Sequence, residues 1–327
     1  MSSFLGKIKN RMNIIIKDLK RDIVNFPVNI TFVNFLKNIT FFGGPVKKVN
    51  CWCNKKREEQ IFDFLYNNNK NIFDKYTEKN NDCAETESRY IWVCWLQGED
   101  NAPDIVKKCI DSIRKNASDY ELVIINENNY NKYVTIPEVI IQKFQDRKIS
   151  PAHFSDILRM FLLEKYGGLW LDATIYCSNK IPENLFSYPF FTGKGPIVKG
   201  GYVSEYRWTG FFLGGKKDCI LYKFLHDFYI NYWSNNDVAI DYLFLDYVLV
   251  LARKHIPAIC ELIDNVPLNN LMRDELQNNF NNPFNKKKYE EITMGDTYLH
   301  KLSWRMEFNT HTQDGEQTFF DFFLNEL

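Results

Sequence analysis

Charged and hydroxyl side chains collect in one segment near the middle of the chain. Asp156 and Arg159 are three residues apart, so in a helix they share one face. Asp172 interrupts the apolar run 169–176, and Thr174 follows two residues later. A carboxylate in a buried strand is costly unless it is paired or bound to a metal ion, which favours a strand end facing a ligand. This pattern suits a metal-held diphosphate, with Arg159 and Asp156 hydrogen-bonding hydroxyl groups.

A helix, a glycine turn and a strand must position these side chains. Ser150 is suited to cap the helix, and Pro151 to occupy its first position. Gly167 and Gly168 end the helix and permit a left-handed turn before the strand. These elements direct the charged residues toward one point. Taken singly, the same residues also fit a surface ion pair and a turn-capping carboxylate.

A strand–helix–strand pattern precedes this segment. Residues 90–96 and 121–125 are apolar runs typical of buried strands, and residues 105–113 between them have helical spacing. Such a unit predicts parallel strands joined by a right-handed crossover. Ligands of parallel sheets bind beyond the carboxyl ends of the strands, which places Trp95 and residues 97–100 at the edge of a site.

The central segment resembles one enzyme family, the capsular polysaccharide synthesis glycosyltransferases. That family has a DxD motif and resembles the Och1-type and clostridial-toxin-type retaining transferases. The resemblance covers about residues 88–305. It includes residues 91–98 upstream and 300–304 downstream, and it is strongest at Ser155-Asp156-Ile-Leu-Arg159, Tyr166-Gly167-Gly168 and Trp170-Leu-Asp172-Ala-Thr174.

The resemblance implies an α/β protein with the GT-A fold, in which a Rossmann-like nucleotide-binding half joins an acceptor-binding half, here with an N-terminal helical extension. Trp95 and Gln97 would lie near the nucleotide base. Asp156 and Arg159 would contact the donor sugar. Asp172 would be the first acid of the DxD motif, near the ribose, the metal ion and the diphosphate.

The resemblance also implies a divalent cation, Mn²⁺ or Mg²⁺. The chain departs from the motif at its third position, where Thr174 replaces an acid, so one carboxylate ligand is missing. Asp172, Thr174 and His300 are the candidate metal ligands. Lys301 and Arg305 are expected to contact the leaving diphosphate. The alternative for His300 is a structural role in the core.

Three further residues are candidates for the substrate pocket. Asp241 and Asp246 interrupt an aromatic run with helical character, and they are predicted to lie at the donor or acceptor pocket as catalytic groups. They would otherwise mark the wetter face of a helix. Trp208 is predicted to stack on an acceptor sugar, and its alternative is a place in the core.

Charge is distributed unevenly along the 327 residues. Lys and Arg total 41, and so do Asp and Glu, so no global field attracts nucleic acid. Residues 1–57 contain 12 basic and 2 acidic residues, a net +10, and the remainder carries −10. We therefore predict a basic, mainly helical region over 1–85 and a GT-A catalytic domain over 86–327.

An amphipathic helix is predicted at the start of the basic region. Its basic face would bind an anionic membrane surface, or its apolar side would pack on the core. The apolar positions recur every three or four residues: Ile8, Met12, Ile15, Leu19 and Ile23. The sequence contains no apolar stretch of the length that a transmembrane helix needs.

The resemblance to this family implies a retaining transferase. It would move galactose or glucose from a UDP-sugar to a lipid-linked oligosaccharide in bacterial capsule or surface-polysaccharide synthesis. The expected location is the cytoplasmic face of the plasma membrane, and the scattered cysteines fit a reducing cytoplasm. Two alternatives are a toxin- or effector-like transferase acting on a protein, and a carbohydrate-binding module with a degenerate site.

Overall fold

The basic N-terminal region is helical in the computed structural model, which describes residues 2–40, 47–85, 87–117, 120–200 and 202–325. Within these residues, four helices precede the first strand: α1 (Ser2–Asn25), α2 (Val28–Ile39), α3 (Lys47–Asn68) and α4 (Lys70–Tyr76). No helix in the described ranges is long and apolar enough to cross a membrane.

The predicted strand–helix–strand unit is present as β1 (Tyr90–Cys94), α5 (Asp104–Asn116) and β2 (Glu121–Ile125). It is followed by α6 (Glu138–Gln145), α7 (Pro151–Tyr166), β3 (Gly168–Asp172), β4 (Ile175–Cys177), β5 (Phe190–Thr192) and β6 (Phe212–Gly215). The central sheet has the order β2-β1-β3-β6-β5. Strand β1 is parallel to β2 and to β3, whereas β6 is antiparallel to β3 and β5. The predicted α/β class is confirmed, and the parallel-rich mixed sheet is that expected of a GT-A-like fold.

The C-terminal third is mainly helical: α8 (Ile220–Asn235), α9 (Phe244–His255), α10 (Pro257–Asp264), α11 (Glu275–Asn278), α12 (Lys286–Thr293), β7 (Leu299–Lys301) and α13 (Phe319–Asn325). Strand β7 pairs antiparallel with β4, which directly follows β3 in the chain, and the two strands form a second sheet. It thereby brings residues near position 300 back to the end of β3.

Close packing between β1 and β3 defines the edge where the two strands end. Their register pairs Trp92 with Trp170, both fully buried, and Cys94 with Asp172. Gly168 has a φ of +97°, and a Cβ atom there would lie 2.4 Å from the carbonyl oxygen of Tyr90. A side chain at this position would separate the strands, so glycine permits the register that places Asp172 beside the end of β1.

Helices α3 and α4 pack on the sheet-bearing part of the chain. Ile61, Leu65 and Phe73 are buried in the main hydrophobic core, where Phe73 contacts Phe224 of α8 with ring centroids 5.2 Å apart. Helix α3 also contacts α9. The predicted boundary between residues 85 and 86 stays a prediction, but α3 and α4 contribute to the same core as the sheet.

Candidate active site

The predicted helix, glycine turn and strand are present and bring four charged side chains together. The hydroxyl of Ser150 caps α7 by accepting a hydrogen bond from the backbone N–H of His153. Because α7 runs back along β3, its first turns lie beside the end of that strand. Arg159 reaches both carboxylates, with Nη1 3.0 Å from Asp156 Oδ1 and Nη2 3.1 Å from Asp172 Oδ1. The convergence predicted from the sequence is therefore observed.

Asp172 is held as a carboxylate by three donors. Lys301 Nζ lies 3.0 Å from Oδ2, and both Arg159 Nη2 and the indole N–H of Trp170 donate to Oδ1 at 3.1 Å. Burial by itself would raise the pKa of Asp172, but Lys301, Arg159 and Trp170 lower it to about 2. The side chains of Asp172 and Lys301 are 30% and 28% exposed, so a ligand can reach them.

Lys301 occupies the space between the two positions of the DxD-like motif. Its ammonium group donates to Thr174 Oγ1 at 2.7 Å as well as to Asp172. The pairing of β4 with β7 places Lys301 opposite Ile175, one residue beyond Thr174. The family resemblance implies a diphosphate contact for Lys301, and its ammonium group lies beside Asp172 at the end of β3.

The residues at this edge do not fit a divalent cation. Mg²⁺ and Mn²⁺ take oxygen ligands, usually one or two carboxylates with substrate phosphates and waters, and such a carboxylate needs an oxygen free to face the ion. Here each Asp172 oxygen already faces a cationic side chain, and the third motif position is the hydroxyl of Thr174, hydrogen-bonded to Lys301. Within the described part of the chain, no group of three or more His, Cys, Asp or Glu residues could hold a metal ion.

His300 is placed away from this cluster, which corrects its expected role as a metal ligand. Successive residues of a strand point to opposite faces, so His300 lies on the face opposite Lys301. The imidazole is fully buried, with Nε2 3.0 Å from Ser178 Oγ. Burial lowers the pKa of His300 to about 4, so the ring is neutral at physiological pH.

Asp246 and Trp208 form a buried pair beside the cluster. The Trp208 indole N–H donates to Asp246 Oδ1 at 2.7 Å. Burial raises the pKa of Asp246 to about 6, and neighbouring Asp156 adds to the increase. Gly210, two residues after Trp208, lies next to the cluster, because a Cβ atom at this position would be 3.6 Å from Arg159 Nη1. Trp208 is only 1% exposed, so the expectation that it stacks on an acceptor sugar is corrected: it positions Asp246.

Asp241 is a structural residue, contrary to its expected place in the pocket. Its Oδ2 lies 2.5 Å from Arg57 Nη1 of α3, and its Oδ1 accepts a hydrogen bond from the backbone N–H of Leu243 just before α9. Arg57 also donates to the carbonyl of Ile240 at 3.1 Å. The pair joins the N-terminal helices to the rest of the chain.

An aromatic wall continues the edge beyond Asp172. Trp95 follows β1 and meets Trp304 edge to face, with ring centroids 5.6 Å apart. Trp304 is 42% exposed, and the guanidinium of Arg305 lies 5.2 Å from its ring. Gln97, two residues after Trp95, is exposed, and its backbone carbonyl accepts a hydrogen bond from the side chain of Asn101. The sequence analysis missed Trp304, although it ends the downstream motif and is three residues from Lys301.

Known proteins resemble this chain to different extents. The O-glycosyltransferase braB of Annulohypoxylon truncatum is 26% identical over 139 residues, which cover 37% of this chain and 31% of that protein, so the chain spans less than a third of that relative. The solved structure of PaToxG Glycosyltransferase matches with a TM-score of 0.39 and 14% identity, covering 78% of this chain and 100% of that chain. The model of a family described as capsular polysaccharide synthesis protein matches residues 45–323. On the extent of that match, the chain belongs to the capsular polysaccharide synthesis protein family.

Proposed function

We propose that the chain is a retaining glycosyltransferase that moves galactose or glucose from a UDP-sugar to a lipid-linked oligosaccharide in bacterial surface-polysaccharide synthesis. The observation that carries this function is the convergence of Arg159 and Lys301 on Asp172 at the end of β3. Family membership supports the polysaccharide pathway, and the relative named as an O-glycosyltransferase supports sugar transfer.

The cationic pair supplies the contacts that a diphosphate needs. Arg159 and Lys301 carry charged donors that match phosphate oxygens, and such charge-assisted hydrogen bonds are stronger than neutral ones. Asp172 orients both cations and, remaining ionised, accepts hydrogen bonds from ribose or sugar hydroxyl groups. The uracil ring would bind against Trp95 and Trp304, whose indoles offer flat apolar surface next to this edge.

Transfer requires one bond to break and another to form. The bond between sugar C1 and the phosphate oxygen breaks, and its electron pair leaves on the diphosphate, where Lys301 and Arg159 stabilise the developing charge. A new bond forms between C1 and the acceptor hydroxyl oxygen on the face from which the diphosphate leaves, which retains the configuration, and the hydroxyl proton passes to a base. Asp246 suits that role because its pKa of about 6 leaves it ionised at neutral pH.

Charge neutralisation is assigned to these side chains and not to a metal ion. The donor set, one carboxylate already contacted by two cations, fits a diphosphate better than Mn²⁺ or Mg²⁺. Activity that survives chelation would support this assignment. A strict requirement for Mn²⁺ would contradict this assignment but not the proposal that the chain is a transferase.

A donor-hydrolysis screen tests the function. The full-length chain is incubated with UDP-glucose, UDP-galactose and other nucleotide sugars, and release of the nucleotide is measured with Mn²⁺ and with a chelator. We expect release from at least one UDP-hexose and a loss of at least about a hundredfold in Asp172→Asn. Asp111→Asn is the matched control, since that carboxylate is 66% exposed and lies outside the cluster.

The acceptor is tested with the donor found by the screen. Radiolabelled hexose should partition into organic solvent when a polyprenyl-linked oligosaccharide is supplied. Label recovered in precipitated protein would instead indicate an effector-like transferase. If UDP-sugars bind but none is hydrolysed and no hexose is transferred to any acceptor, the chain is a carbohydrate-binding module and the transferase proposal is wrong.

A further inference from the structure

Exposed apolar side chains are concentrated in the N-terminal helices. Among the described residues, twenty large apolar side chains are exposed, and ten of them lie between residues 12 and 52: Met12, Ile14, Ile16, Ile23, Val24, Val28, Phe32, Ile39, Val49 and Trp52. Contiguous exposed apolar surface usually marks a site of interaction with a partner or a membrane. We call the two helix faces that carry Met12, Ile16 and Ile23 on α1 and Val28, Phe32 and Ile39 on α2 the N-terminal apolar surface.

Helix α1 divides its apolar residues between two sides. Ile15 is buried, whereas Met12, Ile16 and Ile23 are 47%, 45% and 63% exposed. The exposed three are spaced by four and seven residues, so they share one face of the helix. The predicted stripe is therefore only partly covered by the protein, and Ile8 lies outside the described side chains. Core packing accounts for the Ile15 side alone.

Helix α2 repeats this arrangement with the same spacing. Val28, Phe32 and Ile39 are 84%, 56% and 38% exposed, while Ile30 and Val33 on other faces are buried. A hydrogen bond from Asn34 to Asp22 holds α2 beside α1. Two neighbouring helices thus each carry an uncovered apolar face. Both precede residue 45, where the match to the family begins, so the family match does not account for this surface.

The charges around this surface are almost entirely positive. The only two acidic residues among the first 57, Asp18 and Asp22, both pair with Arg21. Exposed lysines lie on α1 and α3: Lys9, Lys17, Lys20, Lys47, Lys48, Lys55 and Lys56, of which Lys56 pairs with Glu59. Lysines extend their ammonium groups toward a polar boundary while their alkyl stems stay against apolar material.

We propose that the N-terminal apolar surface docks on an anionic lipid bilayer, with α1 and α2 lying at the interface. The apolar side chains would enter the boundary between headgroups and acyl chains, and the lysines would contact lipid phosphates. Charge complementarity selects this occupant. A second copy of the chain would bring a like charge of +10 against the surface, and nucleic acid would leave Val28 and Phe32 without an apolar partner.

Docking of this surface would also fix the position of the candidate active site relative to the bilayer. Helix α3 links this surface to α9 through the Arg57–Asp241 pair, and α9 carries Asp246. Docking would therefore hold the candidate active site near the bilayer, where a lipid-linked acceptor resides. Membrane binding itself requires no substrate, so it does not rest on the proposed transferase activity.

Co-sedimentation with vesicles tests this proposal on the full chain without donor or acceptor. We expect binding to phosphatidylcholine vesicles that contain about 30 mol% phosphatidylglycerol to exceed binding to pure phosphatidylcholine by at least about tenfold, and to weaken at about 0.5 M salt. The variants Val28→Ser/Phe32→Ser and Lys17→Glu/Lys20→Glu should each lower the partition coefficient by at least about tenfold.

Matched substitutions elsewhere separate a specific surface from general hydrophobicity or charge. Val139→Ser on α6 changes an exposed residue and Lys223→Glu on α8 a partly exposed one, both outside the N-terminal helices, and each should leave vesicle binding unchanged. Circular dichroism of each variant confirms folding. Equal binding by Val28→Ser/Phe32→Ser and the unmodified chain would overturn the proposal. So would a dimer in light scattering that this variant dissociates, because a second copy would then cover the surface.

Discussion

Two regions of the molecule pair an aspartate with an arginine, and they differ in what can reach them. At the end of β3, Asp172 contacts Arg159, which is 6% exposed, and also Lys301; Asp172 and Lys301 are 30% and 28% exposed. At the joint between α3 and the segment before α9, Asp241 contacts Arg57, and the two side chains are 16% and 9% exposed. The aspartate of the first pair is partly exposed at a strand end, whereas the second pair is enclosed.

The comparison shows that residue type alone does not separate a site from a structural contact. Both aspartates lie near an element end, and both were candidates for chemistry. The Asp172 cluster has a second cation, Lys301, which is 28% exposed, so that its ammonium group is available to a diphosphate. The Arg57–Asp241 pair satisfies its charges internally, with a further hydrogen bond from Arg57 to Ile240. Access and surrounding donors decide the role.

Removing the second cation should have the largest effect. In Lys301→Met the leaving diphosphate loses a charged donor, so we expect kcat to fall by about a thousandfold while the fold is retained. Steady-state release of UDP measures the loss. Lys223→Met, which removes a partly exposed lysine of α8, is the control. If Lys301→Met were nearly as active as the unmodified chain, the Asp172 cluster would be a structural contact like the Arg57–Asp241 pair.

Breaking the enclosed pair should instead lower stability. Arg57→Met leaves Asp241 buried without its partner, and we expect the free energy of unfolding to fall by about 3 kcal/mol. Activity per folded molecule should change little, because the pair does not contact substrate. Urea unfolding gives the stability, and active-site titration gives the folded fraction. A large loss of turnover at unchanged stability would place Asp241 in the pocket after all.

The central segment was predictable because its signals are local. Ser150 at the cap, the glycines after α7 and the three-residue spacing of Asp156 and Arg159 are all contained within about one helix and one strand. Sequence pattern also indicated parallel β1 and β2, since apolar runs and helical spacing alternate there. The resemblance to a family supplied the rest, including the expectation that Lys301 approaches the diphosphate.

The sequence-based predictions that the structure corrects depend on side-chain direction or on contacts between residues far apart in the chain. His300 and Lys301 are adjacent, and only the β4–β7 register shows which of the two faces Asp172. The partner of Asp241 is Arg57, 184 residues away, and no local pattern indicates that contact. Trp208 offers an aromatic ring in the sequence, but its burial and its hydrogen bond to Asp246 follow from packing of the whole core.

Variants of Asp246 test whether the active site extends beyond the Asp172 cluster. In Asp246→Asn, kcat/KM should fall by about a hundredfold because the proposed proton acceptor is lost. In the unmodified chain, kcat/KM should increase between about pH 5 and 7 as the carboxylate ionises around its pKa of about 6.

The Trp208→Phe variant distinguishes catalysis by Asp246 from a structural role. The indole hydrogen bond lowers the pKa of Asp246, so its removal should shift the ascending limb to higher pH. The pH–rate profiles of both variants and the unmodified chain measure this. An unshifted profile in Trp208→Phe, or a retained ascending limb in Asp246→Asn, would exclude Asp246 from the proton transfer and shrink the site to the Asp172 cluster.

His300 should give the smallest effect and the sharpest contrast with its neighbour Lys301. The imidazole is neutral in the folded chain because burial lowers its pKa to about 4, whereas in the unfolded chain it takes up a proton near pH 6.5. The unfolded state therefore binds more protons as the pH falls from about 6.5 to 4, and stability falls with it. From pH 7 to 5 this contribution amounts to about 2 kcal/mol. His300→Gln should remove that part of the pH dependence in urea unfolding while turnover per folded molecule is retained. If His300→Gln abolished turnover as Lys301→Met is expected to do, both faces of β7 would serve the site, and the register that separates them would be wrong.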